Sequence, residues 1–157
     1  EPALKPAAIA HPNGHILVLA TEMTLREQKF DKLMKQFQMS NKISTLAVPE
    51  FVSLVDRGIT EGPQITEVLN RYFSDVNLSD IQGIVLGCTH YVFLKPPIIE
   101  YFHNRVHLYD GNEGTARQLL QVLRSTNQLC EEGDGSATLL NSRGEDMVCR
   151  SYELLKT

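Results

Sequence analysis

Residues 81–91 read Ile81-Gln82-Gly83-Ile84-Val85-Leu86-Gly87-Cys88-Thr89-His90-Tyr91. The short apolar run Ile81–Leu86 predicts a strand, and it stops at a glycine followed by three side chains with reactive or polar tips. Gly87 is expected to let the backbone turn without Cβ strain. Cys88 then stands at a strand end, near an expected helix N-terminus, where the helix dipole and free N–H groups can lower a thiol pKa. His90, two residues on, is placed to share or position a proton. Thr89 offers a hydroxyl and a backbone N–H suited to a carboxylate. By spacing alone, a buried structural cysteine beside a satisfied histidine fits these residues equally well.

Working outward, strands and helices alternate. Upstream, His15–Ala20 (HILVLA) reads as a strand buried on both faces, and Ile43–Val48 as another. Between them, Thr24-Leu25-Arg26-Glu27 has the form of a capping box, so Thr24 is expected to be an N-cap. Phe30, Leu33, Met34 and Phe37 then follow helical spacing. Pro49 opens a short helix with Val52 and Val55 inward and Gly58 at its C-cap. Ile65, Val68, Leu69, Tyr72 and Phe73 repeat the helical period. Downstream, Pro96-Pro97 start a helix through Ile98, Ile99 and Phe102, and Val106–Tyr109 forms a fourth strand. Asn112 caps a helix with Ala116, Leu119, Leu120 and Leu123 inward. Two more strands are expected at Ala137–Leu140 and Met147–Leu154. The proline- and alanine-rich residues 1–14 read as a rigid extended lead-in.

Alternation from residue 15 to about residue 125 indicates a three-layer αβα fold with a mainly parallel sheet. Ligands in such folds sit beyond the carboxyl ends of the strands. That draws attention to Thr21 and Thr24, Pro49 to Asp56, Gly87 to Tyr91, and Asp110 to Glu113.

Composition narrows the function classes. The chain has 157 residues, 42% hydrophobic and 22% charged, which suits one domain and excludes wholesale disorder. No apolar run approaches the ~20 residues of a membrane helix, and no stretch has a signal-peptide layout. A net charge of −4 with scattered Lys and Arg argues against general nucleic-acid binding. Three cysteines, Cys88, Cys130 and Cys149, lack regular spacing, which excludes a disulfide framework and fits a reducing compartment. The chain begins Glu1-Pro2, so it is expected to be trimmed or part of something longer.

Other candidates have plainer readings. Cys130, with Glu131 and Glu132 adjacent, and Cys149, in an expected strand, read as structural. Asp56 is either a solvated carboxylate or one that orients a base. Asp110-Gly111-Asn112 reads as a turn plus cap. His11, His15, His103 and His107 show no metal-type spacing, and no G-x-G-x-x-G, P-loop or G-x-S-x-G segment occurs.

Leu86-Gly87-Cys88-Thr89-His90-Tyr91 resembles the second catalytic-cysteine motif of glutamate racemases, within the aspartate/glutamate racemase superfamily. Other segments agree in order. Residues 1–7 look like the crossover into the second domain of those enzymes, and Leu19-Ala20-Thr21 with Thr24 resembles their A-T-x-x-T segment. Pro49-x-x-Val52-x-x-Val55-Asp56-x-Gly58 is similar to a segment bearing an acid, usually Glu and here shorter by a methylene. Tyr109-Asp110-Gly111 followed by Ala116 resembles the return into the first domain. Val92 replaces a common Pro, and Ala47 a frequent structural Cys.

The resemblance implies a flavodoxin-like topology and cofactor-independent interconversion of L- and D-glutamate in the cytoplasm, supplying D-glutamate for peptidoglycan. By this analogy, two cysteines work on opposite faces of the substrate. Cys88 is the base and acid on one face, His90 tunes it, and Asp56 supports His90. Thr89, Thr21 and Thr24 bind substrate. The partner cysteine lies in a C-N-T-A segment of the first domain, and that segment does not occur here. The reading therefore expects an inactive fragment: a crossover at residues 1–14, a second domain at 15–108, and a segment at 109–157 that completes a missing first domain. The exposed helix face of that segment would favour a homodimer. A one-cysteine decarboxylase of the same superfamily and a non-catalytic flavodoxin-like binding module are the alternatives.

Overall fold

Unbroken apolar runs become the interior of a sheet. In the computed structural model, which describes residues 2–37, 41–130, 132–133 and 135–156, β1 (His15–Ala20) is buried from Ile16 onward. Glu1 and Glu131 lie outside the described residues. The other strands are β2 (Lys42–Ala47), β3 (Ile81–Leu86) and β4 (His107–Tyr109). All pair in parallel, in the order β2-β1-β3-β4. β1 and β3 are central and almost wholly buried, whereas β2 and β4 form the edges and are more open to solvent. The chain runs from β1 out to β2 and then recrosses to β3, so the strand order reverses between β1 and β3. A crevice at that reversal is where open α/β sheets bind ligands. The expected parallel α/β architecture is present.

The intervening helices are α1 (Leu4–Ala10), α2 (Glu22–Leu25), α3 (Gln28–Phe37), α4 (Glu50–Asp56), α5 (Pro63–Phe73) and α6 (Lys95–Tyr101). Ile16, Val18 and Val85 share a core with Leu4, Ala7 and Ala8 of α1 and Met34 of α3. Two-residue alternation turns Leu17, Leu19 and Ile84 to the opposite face, where α4, α5 and α6 pack side by side. There Phe73 meets Phe102 edge-on at 5.4 Å. Each fully buried side chain of this size contributes roughly 1.5–3 kcal/mol.

The lead-in is not extended. Residues 4–10 form α1, and Leu4, Ala7 and Ala8, at i, i+3 and i+4, bury against the sheet. Pro6 is its third residue, where a missing N–H lacks an intrahelical partner anyway. At its end, Asn41 Nδ2 donates to the His11 carbonyl at 2.5 Å, and the Tyr109 hydroxyl lies 3.0 Å from His11 Nε2. Burial and the neighbouring His107 ring, 5.3 Å away, lower the His11 pKa.

The chain divides into two compact units, residues 1–112 and 113–157. The second holds most of α7 (Asn112–Ser125) and all of α8 (Glu145–Leu154). The apolar side of α7 is open: Leu119 is 59% exposed. The two strands expected here do not form. Residues 137–140 carry no strand, and Leu140 faces solvent. Residues 147–154 lie in α8, because Met147, Val148, Ser151 and Leu154 fall on one helical side and Glu145 and Asp146 suit the helix N-terminus. Among the described residues, no helix is long and apolar enough to cross a membrane.

Candidate active site

Three loops leave the carboxyl ends of β1, β2 and β3 together. Leu19 pairs with both Leu46 and Leu86, so Thr21, Val48 and Cys88 emerge from neighbouring strands. The Gly87 N–H donates to the Leu19 carbonyl at 2.7 Å. The role expected for Gly87 needs correcting, because its φ is not in the left-handed region. What requires glycine is proximity: a Cβ there would meet the Leu19 oxygen at 3.0 Å and the Ala20 Cβ at 3.2 Å. Cys88 comes next in extended conformation and caps a 3-10 turn, Thr89–Leu94, with its carbonyl accepting from the Tyr91 N–H at 3.1 Å.

The turn brings three predicted residues into line. Cys88 Sγ lies 3.9 Å from His90 Nδ1, and His90 Nε2 lies 3.2 Å from Asp56 Oδ1. Both partners of the second contact are about one-third exposed, His90 at 36% and Asp56 at 34%. In the tautomer with its proton on Nε2, His90 donates a hydrogen bond to the Asp56 carboxylate and presents an unprotonated Nδ1 to the thiol. In that tautomer the imidazole can take the Cys88 proton while the carboxylate balances the charge gained. Although Asp is shorter than Glu by a methylene, it reaches His90.

Asp56 gets its position from α4. Phe51, Leu54 and Val55 bury one side of this helix, Val52 being only half-buried. The helix stops in a Schellman motif at Gly58, whose φ is 75°: Gly58 N–H bonds the Val55 carbonyl at 2.8 Å and Ile59 N–H that of Leu54 at 2.9 Å. The other end is braced from α5. Arg71 Nη1 donates to Glu50 Oε1 at 2.6 Å, and the Tyr72 hydroxyl donates to Glu50 Oε2. That bond to Glu50, with burial adding to it, raises the Tyr72 pKa.

Thr24 is not the N-cap. Thr21 caps the one-turn helix α2, its Oγ1 accepting from the Thr24 N–H at 3.3 Å with the two hydroxyls 3.0 Å apart. β1 ends at Ala20, so Thr21 is the first hydroxyl available to cap α2, and α3 starts only at Gln28. Thr21 and Thr24 thus form a half-buried hydroxyl pair just beyond the end of β1, while Thr89 is exposed on the turn after β3. The cap expected of Asn112 comes instead from Asp110, whose Oδ1 accepts the Asn112 N–H at 2.8 Å while Oδ2 pairs with Lys95. Burial works against ionised Asp110, but the bonds from Lys95 and Asn112 outweigh it and hold its pKa below the usual range.

The sequence reading gave no role to Tyr91. It is fully buried, its ring meets Phe51 edge-on at 5.3 Å, and its hydroxyl lies 2.8 Å from the Val48 carbonyl and 3.3 Å from that of Ala20. The available signal was chemical: a buried tyrosine seeks a partner for its hydroxyl. Cys130 and Cys149 are exposed in the second unit, Cys130 Sγ donating to the Glu132 carbonyl. Among the described residues, no three His, Cys, Asp or Glu side chains gather as a metal site.

No protein-family model matches the chain. It is 40% identical over 156 residues to the glutamate racemase of Clostridium botulinum strain Hall, covering 98% of this chain and 61% of that protein. The crystal structure of glutamate racemase from Francisella tularensis in complex with D-glutamate matches with a TM-score of 0.77 at 20% identity, over 98% of this chain and 59% of that one. That of Thermus thermophilus in complex with beta-chloro-D-alanine matches with a TM-score of 0.70 at 26% identity, over 96% and 56%. The chain thus spans about three-fifths of the relatives it matches.

Proposed function

We propose, from the premise that this chain is a homologue of glutamate racemases along 98% of its length and has the aspartate/glutamate racemase fold, that it supplies one face of a two-cysteine glutamate racemase site. The observation that supports this is the line Cys88–His90–Asp56 at the strand-order reversal. Racemisation at an α-carbon needs a base on one face and an acid on the other. The base must be desolvated and within about 3–3.5 Å of a weakly acidic proton.

Cys88 is half-buried at the end of β3, which suits that base. His90 takes its proton through Nδ1, and Asp56 steadies the imidazolium. The thiolate then removes the α-proton of L-glutamate. The resulting carbanion is protonated on its far face by a second thiol, giving D-glutamate, and Cys88 keeps the proton it removed. In the reverse direction Cys88 donates. Thr89 binds the carboxylate or amino end of the substrate, and the Thr21–Thr24 pair binds from the β1 side. The second thiol belongs to a first domain outside residues 15–108, with residues 1–14 as its crossover and 109–157 as the segment that completes it. On this reading the 157-residue chain, alone or as a homodimer, does not racemise. The whole enzyme supplies D-glutamate for peptidoglycan in the cytoplasm.

Competitive alkylation tests this. With limiting iodoacetamide at pH 7, Cys88 is expected to react well ahead of Cys130 and Cys149 although both of those are exposed. Added glutamate should slow Cys88 alone. Equal reactivity of the three thiols, or enzyme-like inversion of glutamate by the isolated chain in deuterated water, would overturn the reading.

A further inference from the structure

We propose that Tyr91 is a positioning residue: by bonding the carbonyls at the ends of β1 and β2, it sets the distance across which His90 meets Asp56. The inference rests on reading Cys88, His90 and Asp56 as a proton line. His90 and Asp56 arrive on different segments, a 3-10 turn after β3 and the last turn of α4, 34 residues apart. A further polar link joins the 3-10 turn to the chain entering α4: the Tyr91 hydroxyl donates to the Val48 carbonyl at 2.8 Å. Val48 is fully buried and immediately precedes Pro49, the N-cap of α4. The helix then carries the position of Val48 rigidly to Asp56.

On the other side, Tyr91 adjoins His90 in sequence and its N–H bonds the Cys88 carbonyl. The same hydroxyl lies 3.3 Å from the carbonyl of Ala20, the residue before Thr21. One phenol therefore references the loops after β1, β2 and β3 to one another. Its ring cannot tilt freely, being held edge-on against Phe51. Burial, and then the nearby Cys88 thiol, push the Tyr91 pKa well above its usual value, so the hydroxyl remains a donor wherever the site works.

The test is a double-mutant cycle read by Cys88 alkylation in the full 157-residue chain, with folding checked by circular dichroism. Y91F should slow Cys88 alkylation at pH 7 about tenfold, because a loosened relay loses part of the ~10²–10⁴-fold that a placed acid–base partner supplies. Cys130 and Cys149 should be unchanged. D56N should slow Cys88 as well, and adding Y91F to D56N should slow it no further, since both act through His90. L4A removes a buried side chain from the α1 core on the other face of the sheet and no polar bond. It should lower the melting temperature while leaving the Cys88 rate within about twofold. If Y91F lowers stability but leaves the Cys88 rate untouched, or if L4A slows Cys88 as much as Y91F does, Tyr91 is merely structural. If D56N itself has no effect on Cys88, the proton line fails and the positioning role with it, a result distinct from the Tyr91-specific failures.

Discussion

Replacing Gly87 by Ala puts a methyl group against the carboxyl end of β1. The added carbon would stand 3.0 Å from the Leu19 oxygen, 3.2 Å from the Ala20 Cβ and 3.7 Å from Val18 Cγ1. The first of these is backbone, and the same oxygen accepts the Gly87 N–H at 2.7 Å. Relief therefore requires β1 and the end of β3 to separate by a few tenths of an ångström, lengthening that bond. Gly87 is itself exposed, so the methyl gains little from burial. Overpacking of this kind costs about 1–3 kcal/mol. At about 4 °C per kcal/mol for a unit of this size, the melting temperature should fall by roughly 8 °C. Cys88, the next residue, should move with the strand end, so its alkylation rate should change as well. Gly62 provides the contrast: its φ is +91° and nothing lies within 4 Å of an added Cβ. G62A should cost about 1 kcal/mol through the backbone alone and leave Cys88 untouched. Differential scanning fluorimetry and timed alkylation on the two variants decide the matter. A G87A protein that melts within a degree of the parent, with the same Cys88 rate, would refute the close-approach argument.

Leu4→Ala should cost about 2–4 kcal/mol in urea unfolding, because Leu4 is 3% exposed in a shared core; an unchanged midpoint would mean that α1 is not docked. Asp56→Glu should keep most of the Cys88 reactivity, whereas Asp56→Leu should lose about tenfold or more in the same alkylation assay. The lowered His11 pKa makes stability depend on pH: the unfolded chain binds more protons below its value of about 6.5, so this contribution is complete above that pH and is lost as pH falls through it toward the folded value. Melting temperature measured from pH 7.5 to 5 should therefore fall, and less steeply in His11→Gln. Asp110 carries the opposite ionisation with the same outcome: its depressed folded pKa contributes stability above about 4 that disappears as pH falls further, and Asp110→Asn should remove that step.

Legibility in the sequence depended on how local each signal is. HILVLA and IQGIVL could be read as interior strands because burial on both faces demands an unbroken apolar run. Cys88 and His90 could be read together because one short turn places them. Asp56 remained one of two possibilities, since its meeting with His90 depends on how α4 packs. Tyr91 had no assigned role because its partners are carbonyls of two distant strand ends, which no side-chain pattern reveals. Residues 4–10 form a helix where the prolines suggest an extended chain, because the deciding fact is the apolar core that Leu4, Ala7 and Ala8 share with Ile16, Val18 and Val85. Residues 147–154 misled for a related reason: a short stretch with mixed apolar spacing fits a strand or a helix until its cap at Gly144 is known.

The docking of α1 bears on how this chain should be cut. A proline-rich stretch ahead of the first strand invites trimming to His15, and limited proteolysis is often used to justify such a choice. Here that deletion would strip a layer from Ile16, Val18 and Val85 and leave their face greasy. A shortened version would then precipitate for reasons unrelated to the crevice. The smallest piece worth expressing for work on Cys88 starts no later than Ala3.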